Sequence, residues 1–150
     1  MTLIDTNILS TYLKRDANTR CPRLFTTVTA LLEEEGLSIS FITRHELRRG
    51  VEELMRRGEG RRKLVELEKF LYRAEVLGLD SASGEGWDLA ARLWADGRAQ
   101  RPAIVFEDAD LFIAATAAFH GRNFATSDRG LVENLKKVRF PTVVHFIPSE

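Results

Sequence analysis

Short apolar runs alternate along the chain with longer stretches whose apolar residues recur at helical spacing, and the short runs tend to stop at polar or acidic residues. Thr2-Leu3-Ile4 stops at Asp5-Thr6-Asn7, after which Ile8, Leu9, Tyr12 and Leu13 resume three and four apart. That pattern predicts strand, turn and helix. Asp16 to Pro22 is polar and predicts a loop. Pro22 suits the first turn of a second helix to Glu35, with Leu24, Phe25, Val28, Leu31 and Leu32 on its apolar face. Gly36 ends it. Residues 37–42, Leu-Ser-Ile-Ser-Phe-Ile, alternate as a second strand. Leu47, Val51, Leu54 and Met55 then carry a helix to Gly58-Glu59-Gly60, and Leu64, Leu67, Phe70 and Leu71 continue beyond it, so the two form a helical hairpin. The paired glycines are not a phosphate loop, because no strand precedes them and no Gly-Lys-Ser/Thr follows.

Val76 to Asp80 predicts a third strand, with Ser81 or Ser83 capping the next helix. There Trp87, Ala90, Ala91 and Trp94 fall at i, i+3, i+4 and i+7, which assigns both tryptophans to the core rather than to a base-stacking surface. Gly97 to Pro102 reads as a loop. Apolar Ala103 to Phe106 leads into Glu107-Asp108-Ala109-Asp110, and residues 111–119 are almost wholly apolar, the mark of a central, covered helix. His120-Gly121 closes it. Asn123 to Thr126 is a fourth strand ending at Ser127-Asp128. Leu131 to Leu135 is a brief helix, Lys136 to Pro141 a loop, and Thr142 to Ile147 a last strand, placed at an edge by Pro141 and Pro148. The alternation predicts an α/β fold, three layers α/β/α around a mainly parallel sheet of four to five strands.

At 150 residues and 44% hydrophobic content, residues 1–150 fit one domain that needs neither disulfides nor a structural metal. The single Cys21 cannot bridge within the chain, and the lack of a Cys/His cluster argues against zinc. With no signal peptide and no long apolar run, the expectation is a cytoplasmic protein without a membrane partner.

The 22 basic and 22 acidic residues cancel, but their distribution does not. Residues 44–63 hold eight Arg or Lys against four Glu, including Arg48, Arg49, Arg56, Arg57, Arg61 and Arg62. Arginine is the better bidentate ligand for phosphate. The run is either a nucleic-acid surface or a solvated helix face laced with i,i+4 ion pairs.

Four carboxylates, Asp5, Glu46, Asp110 and Asp128, recur just after strands or at helix starts, where a parallel sheet binds its ligands. Each has a structural alternative. Asp5 suits a helix cap. Thr43 and Glu46 have the spacing of a capping box. The acids before residue 111 suit a helix dipole. Gathered together, however, like charges about 4 Å apart repel by about 4 kcal/mol per pair at an effective dielectric near 20, so the cluster calls for a cation. All-oxygen ligands favour Mg²⁺, with Mn²⁺ able to substitute, and such an ion supports in-line displacement at phosphorus.

These residues carry a resemblance. Leu3-Ile4-Asp5-Thr6-Asn7, Ile42-Thr43-Arg44-His45-Glu46-Leu47 with Gly50, Asp110-Leu111-Phe112-Ile113-Ala114-Ala115 and Ala125-Thr126-Ser127-Asp128 resemble, in order, the four motifs of PIN-domain proteins, in particular VapC-type ribonuclease toxins of toxin–antitoxin pairs. The resemblance covers nearly the whole chain. It implies a metal-dependent endoribonuclease with an acidic pocket of Asp5, Glu46, Asp110 and Asp128. Asp5, Asp110 and Asp128 would be the metal ligands, and Thr6, Asn7 and Thr126 would assist. It also implies a cognate antitoxin and a homodimer. Many such toxins lack the fourth acid, which leaves Asp128 between ligand and auxiliary, and Asp108 is a candidate cap that would free Asp110. A phosphatase with an Asp nucleophile is disfavoured, because Asn7 stands where its second Asp belongs. The non-enzymatic alternative is a catalytically weak domain that binds RNA or protein.

Overall fold

In the computed structural model, which describes residues 1–150, five short strands form one all-parallel sheet. They are β1 (Thr2–Ile4), β2 (Leu37–Ser40), β3 (Glu75–Leu77), β4 (Asn123–Thr126) and β5 (Val144–Phe146), in the order β3-β2-β1-β4-β5. The chain's first strand is therefore central, and β5 lies at an edge as its flanking prolines predict. Eight helices connect the strands: α1 (Thr6–Tyr12), α2 (Ala17–Arg20), α3 (Pro22–Glu34), α4 (Phe41–Arg56), α5 (Arg61–Arg73), α6 (Glu85–Arg98), α7 (Asp108–Phe119) and α8 (Arg129–Lys137).

Alternate side chains of the central strands feed two cores, one on each face of the sheet. Leu3 and Phe124 pack with Leu93 of α6, Ile113 and Ala114 of α7 and Leu135 of α8. Ile4 and Ala125 face the other way, onto Ile8 and Leu9 of α1, Val28 of α3 and Phe70 of α5. The result is the expected three-layer arrangement. The most apolar helix, α7, is the most covered, with Leu111, Ile113 and residues 114–117 all buried.

Several local readings change. A turn of helix, α2, interrupts the loop expected at 16–22. The second strand stops at Ser40 instead of running to Ile42, because its partner β3 ends at Leu77 opposite Ser40, and α4 begins at once. Ser40 is the cap of α4, its Oγ accepting from Thr43 N at 3.0 Å, so Thr43 and Glu46 do not form the capping box. Finally, Trp87 and Trp94 are 41% and 43% exposed, not core. The buried stripe of α6 is Gly86, Ala90, Leu93 and Gly97. Trp87 lies along the surface with Nε1 donating to Asp80 Oδ1 at 2.7 Å and its ring edge-on to Phe112.

That stripe yields a stability prediction. A methyl group on Gly86 would run into the backbone carbonyl of Leu79, which cannot swing aside as a side chain does. Gly86→Ala is expected to lower stability by about 1–3 kcal/mol by overpacking, despite the better helix propensity of alanine. A urea midpoint equal to or above wild type would show instead that α6 moves away without cost.

Candidate active site

The site is built at the carboxyl ends of β1, β2 and β4. The ladder between β1 and β4 continues one residue past Ile4, with Asp5 N donating to Ala125 O at 2.9 Å, and this sets Asp5 beside Thr126. Asp5 is only 4% exposed. Its Oδ1 accepts from Thr6 N at 2.8 Å and its Oδ2 from Thr126 Oγ1 at 2.7 Å. The cap and the pocket therefore share one carboxylate, an oxygen each. Burial pushes the Asp5 carboxyl above its ordinary range, the two hydrogen bonds pull it back, and the charges of Glu46 and Asp128 raise it further.

With Ser40 capping α4, Glu46 is released from helix-end duty. Its Oε1 lies 2.8 Å from Thr6 Oγ1, which is also 2.9 Å from Thr43 Oγ1. A hydroxyl has one proton, so Thr6 can give it to the carboxylate while accepting from Thr43. Thr43 is fully buried and its hydroxyl is 3.2 Å from Ser40 Oγ. Ser40 and Thr43 are thus the positioning groups that the sequence reading missed. The signal was present, since Ser40 precedes Thr43 by the same three residues that separate Thr43 from Glu46.

Asp110 stands in the first turn of α7. The cap position belongs to Glu107, not to Asp108, and no side chain makes a cap hydrogen bond there. The Asp110 carboxyl is pushed up to about 6, first by desolvation and then by the negative charges of Asp5, Glu107, Asp128 and Glu46. Asp128 is exposed and caps α8, its Oδ1 accepting from Leu131 N at 3.0 Å. Its own N–H donates to Thr126 Oγ1 at 3.1 Å. Asn7 approaches the same hydroxyl with Nδ2 at 3.4 Å and accepts from Ser127 N at 3.3 Å. Thr126 is therefore the hub that holds Asp5, Asn7 and Asp128 in register.

The basic hairpin divides into two sets. Arg48 and Arg56 both pair with Glu52, Arg48 also reaches Glu68, and Arg57 pairs with Glu53. Arg49, Arg61 and Arg62 are exposed and form no ion pair. His45 and His145 are exposed, and His120 Nε2 lies 2.7 Å from Gly78 O at the end of α7.

The charges of Glu46 and Asp128 thus bear on both Asp5 and Asp110, and that of Asp5 bears on Asp110 as well. A local excess of negative charge faced only by oxygen donors is what a hard divalent cation neutralises. No group of three or more His, Cys, Asp or Glu side chains is arranged to hold a metal directly.

Comparison with known proteins bears on the same site. The chain's fold matches VapBC2 from Rickettsia felis bound to a promoter DNA fragment, with a TM-score of 0.73 at 18% identity over 97% of this chain and 98% of that one. FitAcB from Neisseria gonorrhoeae aligns with a TM-score of 0.68 at 27% identity, covering 97% and 96%. DNA-bound VapBC from Salmonella typhimurium gives 0.70 at 21%, also over 97% and 96%. No curated protein matches the chain by sequence. The model of one family, the PIN domain, matches residues 2–138, the span that contains all four acids. The chain belongs to the PIN domain family, whose members are nucleases that generally use divalent metals.

Proposed function

We propose that the protein is a Mg²⁺-dependent endoribonuclease, with Mn²⁺ able to substitute, and the toxin of a toxin–antitoxin pair. The observation that carries this reading is the buried Asp5 at the end of the central strand, with the charges of Glu46 and Asp128 raising both its carboxyl and that of Asp110. Asp5 and Asp110 would hold the ion, with Asp128 able to contribute the oxygen that does not cap α8. When bound, such an ion supplies an activated water and stabilises the leaving oxygen. The chain's own residues do the positioning. Thr126 and Thr6 N fix the Asp5 oxygens, Thr6 orients Glu46, and Asn7 braces the β4 turn through Thr126 and Ser127 N. Glu46, held by a hydroxyl and free of the helix cap, would take a proton from the attacking water.

The likeness to the VapBC and FitAB proteins supports a cognate antitoxin partner, and a homodimer is part of the same proposal. No helix of the chain is long and apolar enough to cross a membrane, consistent with the proposed cytoplasmic location. Arg49, Arg61 and Arg62, the hairpin arginines without ion pairs, are the better candidates for RNA contact, whereas Arg48, Arg56 and Arg57 are largely neutralised by their glutamates.

Incubating the purified protein with single-stranded RNA in Mn²⁺, and again with a chelator, tests the reading. Cleavage should require the metal, and Glu46→Gln should reduce it by more than about tenfold with an unchanged melting temperature. Full activity in Glu46→Gln would remove Glu46 from the chemistry. RNA binding without any cleavage would leave the non-enzymatic alternative.

A further inference from the structure

A groove of about 360 Å³ leads away from the carboxylates between α1, α4 and α5. Thr6 and Glu46 belong both to its lining and to the site, so the two are continuous. Leu47, Val51 and Leu67 line it with apolar surface. Lys14 of α1's end, Arg49 of α4 and Lys63 of α5 supply its charge, each exposed and none in an ion pair. Besides Glu46, Glu66 is the other acid there, and it has Lys69 Nζ 3.8 Å away. Gly50 also lines the groove, and a methyl group added to it would meet nothing within 4 Å. Gly50 thus borders open space in the middle of a helix, where glycine is less favourable than alanine.

We propose that this groove seats the nucleotides flanking the scissile phosphate, with Lys14, Arg49 and Lys63 contacting their phosphates and the apolar floor taking a base or ribose face. The inference rests on the ribonuclease reading above and adds to it the path of the substrate. A carboxylate site repels a polyanion, so the strand must be held by cations outside it. Three unpaired cations from three separate segments meet at the groove that opens onto the site, whereas the arginines further along α4 are spent on Glu52 and Glu53. Gly50 leaves the room that a nucleotide requires.

The test measures binding of a fluorescein-labelled, unstructured 12-nucleotide RNA by the full chain across a salt series, with EDTA present so that nothing is cut. Lys14→Ala/Arg49→Ala/Lys63→Ala should reduce the salt slope by roughly 2, at about 0.7 per single-strand phosphate contact. Arg92→Ala, on the exposed side of α6, should leave it unchanged. Gly50→Phe, which fills the groove without touching a charge, should weaken binding at every salt concentration while keeping the wild-type Mn²⁺-induced rise in melting temperature. Cleavage by wild type in Mn²⁺, assayed alongside, separates the two readings. If wild type cleaves RNA and the triple variant and Gly50→Phe bind it as wild type does, the groove assignment falls and the nuclease stands. If wild type neither binds nor cleaves RNA, both fall. If Gly50→Phe alters only the oligomeric state, the groove seats protein and the assignment is overturned.

Discussion

Asp110→Asn is expected to abolish divalent-dependent cleavage while leaving the metal-free protein as stable as wild type, or more so, near neutral pH. The Asp110 carboxyl lies at about 6 in the folded chain against an ordinary 3.8, so the fold binds this proton more tightly than the unfolded chain does. Its contribution to stability is fully present below pH 4 and is lost as the pH rises through about 6. Metal-free wild type should therefore lose stability across that window. Asp110→Asn should lose less, since the amide never ionises among Asp5, Glu107, Asp128 and Glu46. A divalent ion competes with the same proton, so its affinity for wild type should climb through pH 6. In the variant the fall in metal affinity should exceed the roughly 10–100-fold typical of losing a partner one layer out. Melts with and without Mn²⁺ at pH 4, 6 and 8 check each point, and equal Mn²⁺ stabilisation of both proteins would refute the assignment.

Thr126→Val is expected to be damaging in a different way. The substitution keeps shape and removes a hydroxyl that donates to Asp5 at 2.7 Å and accepts from Asp128 N at 3.1 Å. A buried polar group left without a partner costs about 1–3 kcal/mol, and Asp5 would lose the largest influence that lowers its proton affinity. Stability at pH 7 should fall by about that amount, and metal affinity by about 10–100-fold. Thr126→Ser should restore both, because it returns the hydroxyl and gives up only a methyl. Urea denaturation and Mn²⁺ titration of the three proteins measure this directly. If Val behaves as Thr, the Asp5 oxygen has another donor and Thr126 is not the hub.

Asp5 and Asp128 stood out in the sequence because each follows a short apolar run that forms a strand, and in a parallel sheet the ends of such strands share one edge, whereas Glu46 and Asp110 stood out as acids near helix starts. Asp5 beside Thr126 follows from that rule plus the β1–β4 register. Roles within α4 were less legible. Ser40-x-x-Thr43 and Thr43-x-x-Glu46 are overlapping cap signals, and only the length of the neighbouring strand β3 chooses between them. The tryptophans misled for a physical reason. Helix α6 offers two stripes at the same spacing, one carrying Trp87 and Trp94 and one carrying Gly86, Ala90, Leu93 and Gly97, and hydrophobicity favours the first. The structure buries the second because α6 lies against backbone at both ends. A Cβ on Gly97 would come within 2.9 Å of Ile104 O, as one on Gly86 would strike Leu79. Close approach of backbones is invisible to a pattern that counts only apolar side chains.

The central position of the first strand has a consequence in time. Asp5 and Thr126, joined by a hydrogen bond, are 121 residues apart in the chain. At about 5–20 residues per second, that separation is about 6–24 seconds of translation. A nascent chain that has emerged only as far as α6 can pair β1 with β2 and form the helical hairpin, yet it has neither β4 nor the hydroxyl that fixes the first carboxylate. Until β4 (Asn123–Thr126) has emerged, the Asp5 carboxylate lacks the hydroxyl partner that holds one of its two oxygens.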